Sequence, residues 1–204
     1  MAFGDSLTEG ESLGQLFTTL NHDSSTPGIA TSYPYKLQTT LTNTYTGQTI
    51  QVFNAGFGGE KVVGSQAKDR LTLELNARQP QVLLLMHGVN NVNASSDPIV
   101  TIVEGIEELI ELAHARDVHV ILGNLPPQIP TAKATGGSRI AAFNSQLPAV
   151  ATEEGASFVD IHSHIDTATM LMPDGLHLNE AGNVKVAELF YAALKAKYHR
   201  EPAP

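Results

Sequence analysis

Two short runs, one near each end of the 204-residue chain, carry side chains that together can cleave an ester. The first is Gly4-Asp5-Ser6-Leu7-Thr8-Glu9-Gly10, a small, polar, glycine-bounded stretch in which a hydroxyl can be held where a first strand turns toward the next element. The second is Asp174-Gly175-Leu176-His177, on a loop led by Pro173 just before the last helical stretch. Acyl transfer by a serine needs a base for the hydroxyl proton, a partner that orients the base, and donors for the oxyanion. An Asp and a His three apart in a loop meet the first two needs, the carboxylate holding one imidazole nitrogen while the other faces the serine. The expected roles are Ser6 as nucleophile, His177 as base and Asp174 as its orienter. Taken alone, an Asp and a His at this spacing also suit a plain surface turn; their meaning comes from the company of Ser6.

The elements that must position these groups follow a repeating order of apolar run, polar turn and helical stretch. Residues 81–87 and 118–122 read as buried strands, and 50–53 and 156–161 as shorter ones, each ending in Asn, Gly, His or Asp. Helical spacing covers 33–44, 61–78, 98–116, 138–154 and 179–197, with Ile99, Ile102, Val103, Ile106, Ile110 and Ala113 along one stripe. Asp97 before Pro98 reads as an N-cap with proline in the first helical position, and Asn179 before Glu180 as another helix start. Strands apolar on both faces and alternating with helices predict a parallel sheet covered on each side, an α/β protein built as a three-layer α/β/α sandwich. In such sheets the working groups collect at the carboxyl ends of the strands, where Ser6, Gly58, Gly59, Asn90 and Asn124 are expected. Residues 11–32 and 123–137 break the rhythm, and both are assigned to the rim of a substrate cleft.

Composition narrows the function. The length suits one domain spanning 1–204, and 42% apolar residues with no run of about 18–20 gives no membrane span. A net charge of −9 with 12 scattered Lys and Arg argues against a nucleic-acid partner and favours a neutral substrate. The absence of cysteine removes disulfides, thiolate metal sites and a cysteine nucleophile, and leaves the compartment open. No signal-peptide pattern precedes the first motif, so a secreted or periplasmic location would require a signal peptide absent from this chain. Only Met1, Ala2 and Phe3 precede Gly4, which is short for a first strand and points to lost upstream residues. Oligomeric state is not legible.

Four blocks taken together resemble the SGNH, or GDSL-type, esterases and lipases, and the resemblance spans almost the whole chain. They are Gly4-Asp5-Ser6-Leu7, Asn54-Ala55-Gly56-Phe57-Gly58-Gly59-Glu60, Gly88-Val89-Asn90-Asn91 and Asp174-Gly175-Leu176-His177, in the family's order and rough spacing. The resemblance implies a flavodoxin-like sandwich with five parallel strands and no cofactor or metal. It also implies an oxyanion hole formed by the N–H of Ser6, the N–H of Gly59 and the side-chain amide of Asn90. Glycine lets a backbone N–H approach a ligand closely, and an amide donates without changing its protonation state. Counting from Gly88 favours Asn90 over Asn91, and counting from Asn54 favours Gly59 over Gly58. The family commonly has Asp where this chain has Asn91 and Glu60, so an altered hydrogen-bond scaffold with intact catalysis is expected.

The remaining polar residues receive plainer readings. Asp5 is expected to accept backbone N–H bonds and stiffen the turn, and His87 to be a satisfied core or rim histidine. Asp160, His162 and His164 lack a fourth ligand and are not read as a metal site. His22 and His114 read as solvated loop and helix residues. The substrate class is a small-molecule or carbohydrate ester with a short acyl group, chiefly acetyl, because neither loop shows a long apolar stretch for an acyl tunnel. A lysophospholipase or thioesterase of the same family and a carbohydrate-binding module without turnover are the alternatives.

Overall fold

The computed structural model describes residues 1–10, 25–94 and 96–199. Five strands, β1 (Ala2–Gly4), β2 (Asn54–Gly56), β3 (Val82–Met86), β4 (His119–Gly123) and β5 (Ser157–Val159), form one sheet in the order β2-β1-β3-β4-β5. Every neighbouring pair is parallel. Leu83, Leu84, Leu85 and Met86 are all buried although successive side chains point to opposite faces, so both faces of the sheet are covered. The architecture is the α/β sandwich expected from the sequence.

The helices are α1 (Ser6–Glu9), α2 (Tyr33–Thr44), α3 (Gln66–Arg78), α4 (Val89–Asn93), α5 (Ile99–His114), α6 (Ser138–Asn144), α7 (Leu147–Glu153) and α8 (Glu180–Tyr198). Helices α2 and α8 pack together through the Tyr33 and Phe190 rings, stacked with centroids 5.4 Å apart. Helix α5 packs on α3, α6 and α7. Its buried stripe is Ile102, Val103, Ile106, Leu109, Ile110 and Ala113, while Val100 faces outward. At the start of α8, the Asn179 side chain accepts the Gly182 N–H at 3.1 Å, the N-cap foreseen there.

Several boundaries differ from the sequence reading, each for a physical reason. Residues 50–53 do not form a strand; β2 begins at Asn54, because β1 offers partners only from Ala2, which pairs with Asn54. The stretch 61–65 is a bent loop, with Gly64 at φ +100° ahead of α3. Helix α5 starts at Ile99 with Pro98 in the cap position, and the Asp97 carboxylate turns instead to Asn91 and Lys61. The stretch 138–154 divides into α6 and α7, where Pro148 has no N–H to continue a helical ladder. Of the first rim loop, residues 11–24, including His22, lie outside the described residues.

Candidate active site

The carboxyl end of β1 delivers Ser6. Asp5 caps the short helix α1, its Oδ1 accepting the Leu7 N–H at 3.1 Å, while Oδ2 accepts the N–H groups of Gly88 and Val89 at 3.2 and 3.1 Å. Fully buried, this carboxylate ties the Ser6 turn to the turn after β3 and has no free face for chemistry. Gly56 lets β2 run close beneath α1, since a Cβ there would fall 2.0 Å from the Glu9 nitrogen. The second block is thereby brought against Ser6: a Cβ built on Gly58 would stand 3.8 Å from that of Ser6.

Ser6, His177 and Asp174 meet in a single relay. Ser6 Oγ lies 2.9 Å from His177 Nε2, and His177 Nδ1 lies 2.7 Å from Asp174 Oδ2. A carboxylate can only accept, so the neutral imidazole carries its proton on Nδ1 and presents the Nε2 lone pair to the serine hydroxyl. Asp174 Oδ1 accepts the N–H groups of Leu176 and His177, both at 3.0 Å, which fixes the loop around its own carboxylate. Burial pushes the Asp174 carboxyl up, but the bonds from the His177 ring and from these backbone groups outweigh it and lower its pKa to about 2. The second rim loop braces the arrangement: Thr131 Oγ1 donates to the Asp174 carbonyl, the Ile129 N–H donates to the Gly175 carbonyl at 2.9 Å, and Lys133 Nζ stands 3.6 Å from Asp174 Oδ2.

The two pairs of candidate oxyanion donors have different surroundings. The Gly58 N–H is engaged by Glu9 Oε2 at 2.7 Å, whereas no acceptor among the described residues takes the N–H of Gly59 or of Ser6. Gly59 adopts φ +79°, and nothing among the described residues lies within 4 Å of where its Cβ would be. Asn90 uses one amide hydrogen on the Glu60 carbonyl at 2.9 Å and keeps the other. Asn91 is fully buried, its Oδ1 accepting the Val62 N–H and its Nδ2 donating to Asp97 Oδ2, both at 2.8 Å. It is therefore a tie between the second and third blocks and Asp97.

Glu60 and His87 lie beneath this surface. Glu60 pairs with Arg70, and His87 sits buried between Glu60 and Asp5. Sequence reasoning missed the holding roles of Glu9, Glu60, Arg70, Asp97 and Thr131, since no spacing rule links residues that far apart in the chain. Asp160, His162 and His164 do not converge. Asp160 binds Asn124 and Ser163, His162 Nδ1 faces the Leu125 carbonyl and the Asn144 amide, and His164 Nδ1 faces the Asp160 carbonyl. Among the described residues no group of three His, Cys, Asp or Glu is placed to hold a metal ion. A cavity of about 470 Å³ opens at the opposite, amino-terminal end of the sheet, between Met1, Leu37, Val52, Val82 and Leu194, and includes none of the residues around Ser6.

A serine turn after the first strand, a glycine turn after the second, an Asn turn after the third and an Asp–His loop before the last helix form an arrangement on an α/β/α sandwich that can carry acyl transfer. The chain belongs to the GDSL-like lipase/acylhydrolase family, whose model matches residues 2–185, and it is a carboxylic ester hydrolase. Among solved structures it is similar to Est24, a carbohydrate acetylesterase from Sinorhizobium meliloti, with a TM-score of 0.78 and 16% identity over 97% of this chain and 98% of that one. It is also similar to a catalytic mutant of Axe2, an acetylxylan esterase from Geobacillus stearothermophilus, with a TM-score of 0.77 and 18% identity over 98% and 95% of the two chains. No curated protein sequence matches it. Among the described residues no helix is long and apolar enough to cross a membrane.

Proposed function

We propose that the protein is a serine esterase that removes short acyl groups, acetyl above all, from carbohydrate or other small-molecule esters through an acyl-enzyme on Ser6. The observation that carries the reading is the unbroken relay from Ser6 Oγ to His177 Nε2 and from Nδ1 to Asp174, at 2.9 and 2.7 Å, beside N–H groups of Ser6 and Gly59 that no acceptor among the described residues takes. In the first step His177 Nε2 takes the hydroxyl proton as Ser6 Oγ bonds to the ester carbonyl carbon. The carbonyl oxygen becomes an oxyanion facing the N–H groups of Ser6 and Gly59 and the second amide hydrogen of Asn90. The intermediate collapses, His177 gives its proton to the departing alcohol, and the acyl group stays on Ser6. Water, deprotonated by the same imidazole, then attacks the acyl-enzyme and releases the acid.

Support for a short acyl group comes from two directions. The described parts of the rim loops, 25–32 and 123–137, present no long apolar stretch, and the 470 Å³ cavity sits at the wrong end of the sheet to serve as an acyl tunnel. The two similar structures are described as acetylesterases. Labelling with a fluorophosphonate followed by mass mapping tests the mechanism, and the adduct is expected on Ser6. The substrate reading is tested by comparing acetyl, butyryl and decanoyl p-nitrophenyl esters, and then acetylated oligosaccharides. A preference for decanoyl points to the lysophospholipase or thioesterase alternative, and sugar binding with no hydrolysis of any ester points to a module without turnover.

A further inference from the structure

The acyl chemistry leaves one buried ionisable cluster unused. His87 follows β3, and its side chain is completely shielded from solvent. Its Nε2 lies 2.9 Å from Glu60 Oε2 and its Nδ1 lies 3.4 Å from Asp5 Oδ2. Glu60 is equally buried and is held by Arg70 of α3, whose Nε and Nη2 reach its two oxygens at 2.7 and 2.5 Å. The same guanidinium donates to the carbonyls of Ala55 at 2.7 Å and Gly4 at 3.2 Å. The groups that face the imidazole are thus Asp5 from the turn after β1, Glu60 from the loop after β2, Arg70 through Glu60, and the Phe3 ring with its centroid 5.8 Å away.

Asp5 and Glu60 each neighbour the proposed oxyanion donors, Asp5 holding their turn through its carboxylate and Glu60 through its backbone carbonyl. Asp5 immediately precedes Ser6 and anchors the N–H groups of Gly88 and Val89, the two residues before Asn90. Glu60 immediately follows Gly59, and its carbonyl holds the Asn90 amide. We propose that His87 is a positioning residue for acyl transfer, bridging Asp5 and Glu60 so that the Ser6 turn keeps its spacing from the Gly59 and Asn90 side of the oxyanion cradle. The inference rests on the reading of Ser6 as the nucleophile.

Charge gives the bridge a direction. With a neutral imidazole the cluster holds two carboxylates against one guanidinium, whereas an imidazolium balances it, and an uncompensated buried charge is costly. Burial alone would lower the His87 pKa, but the bonds and charges of Asp5 and Glu60 prevail and raise it above the ordinary histidine value. The Gly88 N–H is shared, donating to Asp5 Oδ2 at 3.2 Å and to His87 Nδ1 at 2.8 Å, so in this geometry Nδ1 accepts, as it does in a ring unprotonated at that nitrogen. While Nδ1 carries its proton, that N–H belongs to Asp5. Once the proton leaves, the Nδ1 lone pair competes for it, and Asp5 loosens its hold on the turn that carries Asn90. A raised pKa means that this contribution is complete below the unfolded value of about 6.5 and is lost as pH rises through the folded one.

The test is the pH dependence of kcat and KM on p-nitrophenyl acetate, with ¹⁵N NMR of the histidine rings, for the wild type and for His87→Gln. The wild type is expected to lose kcat on the alkaline side in step with the His87 titration. His87→Gln keeps a donor for Glu60 but no charge, and is expected to lower kcat about 10–100-fold at neutral pH, with KM within about twofold and the alkaline limb gone. A lowered Tm with unchanged kcat, a limb that persists in His87→Gln, or a His87 that titrates without any change in kcat overturns the inference. The wild-type arm decides even where the variant does not fold. Ester hydrolysis by Ser6→Ala at wild-type rate overturns the nucleophile reading beneath it, whereas a labelled Ser6 with wild-type kcat in His87→Gln overturns only the role given to His87.

Discussion

Asn90 and Asn91 are neighbours of one type whose substitution by Ala should fail in opposite ways. Asn90 is half-buried and its side chain makes one hydrogen bond among the described residues, to the Glu60 carbonyl, so truncation costs stability only about 0.5–1.5 kcal/mol. It also removes the proposed oxyanion donor, an effect of about 10²–10³ in kcat, or about 2.7–4 kcal/mol. Asn91 is fully buried and bonded at both ends of its amide, so Asn91→Ala strands the Val62 N–H and removes a donor from Asp97. At about 1–3 kcal/mol for each stranded buried group, the loss of stability is about 2–5 kcal/mol. For a chain of this size each kcal/mol lowers Tm by about 2–4 °C, giving a drop of about 4–20 °C. Steady-state kinetics well below the lower Tm, beside thermal melts of both variants, separate the two. If Asn91→Ala loses 100-fold in kcat at unchanged Tm while Asn90→Ala remains active, the assignment of donor and tie is reversed and the argument from buried hydrogen bonds fails.

Glu9→Gln replaces the charged acceptor of the Gly58 N–H with a neutral amide oxygen, and kcat should fall about 10-fold with KM nearly unchanged; an unaltered kcat would show that the glycine turn holds itself. Asn91→Asp, the residue type common in the family, places a second carboxylate against Asp97, so the single variant should be destabilised by about 1–3 kcal/mol and Asn91→Asp with Asp97→Asn should recover most of that, as read from urea midpoints. The Asp174 carboxyl is depressed to about 2, so its stabilising effect is complete above the unfolded value of about 3.9 and fades as pH falls toward 2. After allowance for solvent screening of this partly exposed group, the gap in unfolding free energy between wild type and Asp174→Asn should be about 1–2 kcal/mol at pH 6 and shrink by pH 3. A gap that widens on acidification contradicts the assignment.

The sheet was legible because its strands are apolar on both faces, and runs such as 82–86 have few other places to go. Helix α5 was legible from its stripe, and α8 from Asn179 at its start. The boundaries that slipped depend on partners elsewhere in the chain. Where β2 begins is decided by β1, and the Asp97 carboxylate leaves the helix end because Asn91 and Lys61 are beside it. Local rules cannot see such choices. Helix α4, five residues long, is too short to show any period.

In the site the division runs between residues that meet substrate and residues that hold them. Ser6, Gly59, Asn90, Asp174 and His177 stand in short blocks that are readable when taken together, because their order and spacing resemble those of a known family although each alone also suits a plain turn. The holding roles follow no such pattern. Glu9 is a helix residue that reaches a glycine 49 positions on, Glu60 finds Arg70 and His87, and Asp5 reaches Gly88 and Val89 across the sheet. Burying Asp5, Glu60 and His87, with Arg70 half-buried beside them, under the proposed oxyanion cradle is expensive, and a core of apolar residues would have been the cheaper support. An apolar core packs, but it cannot point backbone N–H groups. Asp5 does so for Gly88 and Val89, while the Glu60 carboxylate, through Arg70 and His87, anchors the residue whose carbonyl receives the Asn90 amide. Those directional bonds explain both why the charges are there and why they can be found only once the chain is folded.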